Sequence, residues 1–204
     1  MSGMRAHLML VVAVAVVGTA ACIGGRPSPP TQHYLLTPVI DSSSDGVTPR
    51  TTSFVVGVGP VSLPAYLDRP QIVMRTAPDQ IQLLEFAQWG EPLRPGVTRV
   101  LTVNLGRLMP ESRVVAFPWS SGEEIRYQIV VDIGQLDGPA GGSVTVDAGW
   151  RVLDRSGNEL TARSSRVSEP ARDGTTMATA MSRALGVLSD DIARQLRATE
   201  RSRP

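Results

Sequence analysis

The chain has 204 residues, a formal net charge of +1, 42% hydrophobic content, one cysteine, two histidines and no lysine. A charge this balanced, with no basic block, gives nucleic-acid binding no electrostatic footprint, and a single cysteine excludes an internal disulfide. His7 and His33 both precede the candidate body, which excludes histidine-based catalytic triads and histidine metal sites from it.

The first segment reads MSGMRAHLMLVVAVAVVGTAA. Arg5, the apolar run Leu8 to Val17 and the small residues Gly18 to Ala21 have the order of an export signal. The run is shorter than the roughly 20 apolar residues a membrane span needs. Thr19-Ala20-Ala21-Cys22 resembles the small-residue box of a bacterial lipoprotein signal, with Thr19 where the usual box has Leu. That resemblance implies removal of residues 1–21 and attachment of a diacylglycerol to the Cys22 thiol. Each acyl CH2 then buried contributes about 0.8 kcal/mol, so several chains together give a firm anchor. Ile23 stands where an inner-membrane-retained lipoprotein would carry Asp, which points to the outer membrane. Removing residues 1–21 leaves 183, enough for one domain with a proper core, and 19 Arg against 19 acidic residues.

Residues 22–33 are expected to form the lipidated cysteine and a Pro- and Gly-rich tether, and residues 34–204 a single domain. YLLTPV (34–39) suits a short strand and 40–52 a polar loop. FVVGVGPVSLP, from Phe54, reads as a buried strand with glycines where backbone packs closely. Strands are expected at 71–76 and 79–86, joined by a tight turn at Ala77-Pro78-Asp79. Val97, Val100, Leu101, Leu105 and Leu108 fall on one helical face, opened by Pro95 and Gly96 and closed by Pro110. Residues 112–119 suit another strand. Ile125 to Ile133 and Val144 to Val152 alternate apolar with polar, the mark of a half-buried antiparallel pair, and 160–170 can extend it. A C-terminal helix is expected over 175–200, with Met177, Met181, Ala184, Leu185, Leu188, Ile192 and Leu196 as its stripe and Asp173 or Thr175 as its cap. The fold class is α+β: an antiparallel meander sheet with two amphipathic helices packed on one face.

Chemistry is sparse. Asp68, Glu85, Glu91, Glu123, Glu124 and Asp132 are the carboxylates available for acid–base work, and no spacing forces two together. No catalytic residue, no metal ligand and no cofactor beyond the lipid on Cys22 is expected. VGVGP (56–60) lacks the spacing of a dinucleotide fingerprint. The unusual stretch is LPAYLDRPQIV (63–73): Tyr66, Asp68 and Arg69 either fix a turn or form a rigid rim for a partner contact. Trp89 and Trp119 suit lids on the core. The Met- and Ala-rich final helix docks on its own sheet, with room for a subunit contact.

VGVGPVSLPAYLDRPQIVMR (56–75), LLEFAQWGEPL (83–93), VLTVNL (100–105), RVVAFPW (113–119), AGWRVLD (148–154) and ALGVLSDDIARQL (184–196), behind a lipobox and tether, resemble the ABC-type transport auxiliary lipoprotein family (PqiC-like, membrane-integrity-associated transporter subunits). The resemblance implies a non-catalytic subunit of an MCE-type system moving phospholipid between membranes. It implies docking of a periplasmic MCE-domain protein at the outer membrane, and makes a homo-oligomeric ring matching a symmetric tube a reasonable expectation. The alternative is a periplasmic carrier holding an acyl chain in an apolar cavity between sheet and helices. A carboxylate-based hydrolase is the third and weakest reading.

Overall fold

The structure, a computed structural model, describes residues 28–39, 53–171 and 176–202. The chain divides into Met1–Pro30 and a compact body, Thr31–Pro204. The export signal, Cys22 and the 40–52 loop lie outside the described residues.

Eight strands and two helices build the body: β1 Gln32–Tyr34, β2 Phe54–Ser62, β3 Gln71–Ala77, β4 Gln80–Trp89, α1 Leu93–Leu108, β5 Ser112–Ala116, β6 Ile125–Asp137, β7 Ser143–Asp154, β8 Glu159–Pro170 and α2 Met177–Arg201. The class is α+β as expected. The meander is there: β6, β7 and β8 pair antiparallel in sequence order. The sheet is nevertheless mixed, which corrects the purely antiparallel expectation. Strand order is β5-β2-β6-β7-β8, and β2 runs parallel to both β5 and β6. A second, three-stranded sheet has the order β1-β4-β3, with β1 parallel to β4 and β3 antiparallel.

Parallel neighbours need a long crossover. The segment between β2 and β5 supplies one, carrying β3, β4 and α1. The buried run Val56 to Gly59 fits a strand covered on both faces. The strand expected at 34–39 forms earlier: Gln32, His33 and Tyr34 pair with Ala87, Gln88 and Trp89. The strand expected over 112–119 stops at Ala116.

Helix α1 begins at Leu93, before Pro95, because a proline is tolerated in a first helical turn whose N–H groups have no intrahelical acceptor. Its buried face carries Val97, Val100, Leu101 and Leu105, as the spacing predicts. Helix α2 buries Met181, Ala184, Leu185, Leu188, Ile192 and Leu196. Its cap is Thr176, whose Oγ1 accepts from the Thr179 amide at 3.1 Å. Helix α1 lies against β2 and β5, α2 against β7 and β8, and the helices pack on each other. Both therefore cover one face of the larger sheet, and the core between them includes Val56, Val58, Tyr127, Ile129, Val146, Trp150 and Val152.

The other face of β2 is covered differently. Gly57 sits under the Trp119 ring, and a Cβ there would come within 2.7 Å of it. Trp119 meets Phe117 edge to face, ring centres 5.3 Å apart. Trp119 is thus a lid on the sheet, while Trp89 is buried in the core. Gly57→Val is expected to lift this lid and cost about 1–3 kcal/mol. Red-shifted tryptophan emission with a lowered denaturation midpoint checks it; unchanged emission at full stability would show that Trp119 does not rest on Gly57.

Candidate functional site

The turn between β2 and β3 sorts its side chains by where they point. The Leu67 amide donates to Pro64 O (3.0 Å) and the Asp68 amide to Ala65 O (3.3 Å). This compact turn drives Leu67 into the core at 2% exposure. Ala65 and Asp68 are thereby left exposed and Arg69 half-buried.

Tyr66 goes a different way from its neighbours. Its hydroxyl donates to Asp137 Oδ2 at 2.7 Å. Arg75 grips the same carboxylate twice, Nε to Oδ1 at 2.8 Å and Nη2 to Oδ2 at 3.0 Å, and Gln135 Nε2 donates to Oδ1 at 2.9 Å. Asp137 is fully buried. Burial alone would raise its pKa, but the hydrogen bonds from Arg75, Tyr66 and Gln135 outweigh that and hold it below the ordinary carboxylate range. Burial, and next the hydrogen bond to Asp137, push the Tyr66 hydroxyl up to about 12. The Arg75 amide also donates to Gly138 O at 3.0 Å. This cluster joins the small sheet to the end of β6. Of the three rim residues Tyr66 belongs to this cluster, its hydroxyl committed to Asp137.

Asp68 and Arg69 instead line a concavity of about 360 Å³ with Pro70, Trp89, Glu91 and Pro92. The two stretches that carry the resemblance most specifically, 63–73 and 83–93, therefore meet on one surface. The Trp89 amide donates to Pro70 O at 2.7 Å and the Gly90 amide to Tyr34 O at 2.8 Å, fixing the join. Helix α1 supplies the partners for the acids: Arg94 bonds Asp68 at 2.6 Å, and Arg99 pairs with Glu91 and donates to Leu36 O at 2.8 Å. Arg69 Nε is buried without a hydrogen-bond partner among the described residues. Sequence reading did not find Arg94, Arg99, Arg75 or Asp137. An i, i+5 arginine pair on a helix and an aspartate opening a Gly-rich turn carry no signal of their own.

The remaining carboxylates are dispersed. Glu123 pairs with Arg113 and Glu124 with Arg155, while Asp132 accepts from the Ser62 hydroxyl at 2.5 Å. Asp68 and Glu91 share one concavity, each engaged by its own arginine, and Glu123 and Glu124 line another with Asp154. Among the described residues no three His, Cys, Asp or Glu side chains form a metal-sized cluster, and no helix is long and apolar enough to cross a membrane. The space between helices and sheet is occupied by packed side chains.

The family described as ABC-type transport auxiliary lipoprotein component matches residues 34–193, and the chain belongs to it. No curated protein matches. Among solved structures, the crystal structure of an uncharacterized protein aligns with a TM-score of 0.67 at 20% identity, covering 82% of this chain and 99% of that one. A Xanthomonas campestris protein of family DUF330 aligns with a TM-score of 0.63 at 16% identity, covering 83% of this chain and 97% of that one. At these identities the likeness is one of fold.

Proposed function

We propose that this chain, an ABC-type transport auxiliary lipoprotein component, is the outer-membrane dock of an MCE-type phospholipid transport system. It faces the periplasm, held by lipid on Cys22, and is non-catalytic. The observation that carries this reading is the convergence of 63–73 with 83–93 on one exposed surface, where the acids Asp68 and Glu91 are each engaged by an arginine of α1. Such a surface suits a polypeptide contact whose specificity comes from shape and from the exposed Asp68 and Arg94. A symmetric MCE tube is matched best by a ring of identical docks, so the partners are an MCE-domain protein and further copies of this chain.

The test is a photo-crosslinking residue at Ala65, which is exposed on the same turn while the Tyr66 hydroxyl is committed to Asp137. In living cells the expected adduct is an MCE-domain protein. In parallel, Cys22→Ser is expected to release a folded protein into the soluble periplasmic fraction. Retention of that variant in the outer membrane would refute the anchor, and adducts only to unrelated envelope proteins would refute the dock.

A further inference from the structure

A second, larger concavity lies on the far side of the Arg94 and Arg99 ion pairs. It measures about 580 Å³ and runs between α1 and the loop after β5. Strand β5 pairs with β2 only as far as Val58, so beyond that point β2 has no neighbour on this side. The gap is walled by Pro60, Val61, Pro95, Val103, Phe117 and Pro118. Phe117 is 47% exposed, unusual for a large aromatic with an apolar trough beside it.

We infer that this groove holds an acyl chain of a phospholipid, with the phosphate met by Arg94 and Arg99; this names the ligand for the transport reading above and rests on it. Three observations select lipid over peptide. First, the polar groups of the walls are already used internally. Thr98 Oγ1 donates to Arg94 O at 3.0 Å, Thr102 Oγ1 to Thr98 O, and the Phe117 amide to Val58 O at 2.9 Å. An extended peptide would find only the short bare edge of β2 after Val58, where Pro60 has no N–H to give and Gly59 O already accepts from Gln128 Nε2, so most of its backbone groups would be buried without partners, whereas a hydrocarbon chain has none to satisfy. Second, the rim carries two guanidinium groups, each held by one acid on its far side, where a headgroup would emerge. Arg94 and Arg99 each bond through Nη2, and their Nε and Nη1 groups have no partner among the described residues. Guanidinium groups with free donors suit phosphate, and the existing ion pairs, half-exposed, are weak competitors. Third, the size fits: the groove follows α1 from residue 94 to 103, about 14 Å at 1.5 Å per residue, enough for most of one acyl chain, and its volume falls within the range of small-molecule sites.

The experiment uses the mature chain carrying Cys22→Ser, mixed with vesicles containing phosphatidylglycerol whose acyl chain bears a diazirine. After photolysis, lipid adducts are expected on peptides containing 94–103 and 116–118. Thr98→Trp or Ala116→Phe, each filling the trough from a different wall, is expected to lower that labelling at least fivefold. Val187→Trp, exposed on α2, is expected to leave it unchanged. Arg94→Ala with Arg99→Ala is expected to weaken labelling by phosphatidylglycerol more than by a diazirine-bearing diacylglycerol, which lacks the phosphate. Scattered adducts, or groove labelling undiminished in both filling variants while they remain folded, would overturn the inference. So would a photo-crosslinker at Phe117 that traps a transporter polypeptide in cells while no lipid adduct forms in vitro. Success at Ala65 with failure here would leave the dock standing without its groove; the reverse would leave a lipid-binding lipoprotein without the dock.

Discussion

Asp137→Ala is expected to lower folding stability by about 3 kcal/mol, measured as a shift in the chemical denaturation midpoint at constant slope. The carboxylate is fully buried, and its removal orphans three donors at once: Arg75, the Tyr66 hydroxyl and Gln135. Arg75 keeps a quarter of its side chain exposed and recovers some hydration, which holds the loss toward the lower end of the range for broken buried pairs. Asp68→Ala is the matched control. Its pair with Arg94 is 43% and 49% exposed, and such pairs contribute at most about 1 kcal/mol. A loss as small at Asp137 as at Asp68 would mean that the cluster does not join the two sheets.

The same cluster sets a pH window. Asp137 is held below the usual carboxylate range in the folded protein. Its contribution is therefore complete above about pH 5 and is lost as pH falls through the folded value. Tyr66 is raised to about 12. Its contribution is complete below about pH 9 and is lost as pH climbs from about 10, the ordinary tyrosine value, toward the folded one. Stability should thus be level between, with the alkaline fall smaller in Tyr66→Phe. An identical alkaline limb in that variant would assign the fall to another group.

Leu36→Ala carries the second large effect, about 2–4 kcal/mol, the range for truncating a buried leucine. Leu36 is 2% exposed within the core. It is the plug of an N-terminal strap: β1 pairs with β4, Arg99 donates to Leu36 O, and the Thr37 amide donates to Ser182 Oγ at 3.0 Å. The loss should appear in hydrogen exchange as faster exchange at Tyr34 and Thr37, together with a lower global midpoint. A global loss without that local effect would mean the strap is held by its hydrogen bonds alone.

The strap also shows where sequence reasoning stops. The β6–β7–β8 meander was legible because alternation is a property of each strand by itself, and α2 because twenty-five residues keep one stripe. What alternation cannot reveal is which strand lies beside which. Nothing local in QHYLLTP says that Gln32 meets Ala87, and nothing local in SRVVA says that β5 returns beside β2. The candidate surface was half legible for the same reason. LPAYLDRPQIV and WGEPL were singled out, but their meeting depends on backbone bonds such as Trp89 to Pro70, and their acids are balanced by arginines on a helix read only for its apolar face. Asp137 ends β6 just before a Gly-rich turn, and its partners Arg75 and Tyr66 stand 62 and 71 positions away, beyond the reach of any local pattern.

Those separations have a consequence in time. Thr37 and Ser182 are 145 positions apart, and the β1–β4 pairing waits on residues up to Trp89. Contacts that close such long loops form late, after the entropy of closure has been met by nearer ones. In a chain delivered N-terminus first, β1 can find β4 once Trp89 has been made, but the bond from Thr37 to Ser182 waits for the last helix. The strap from Gln32 to Thr37 is therefore begun early and fastened last.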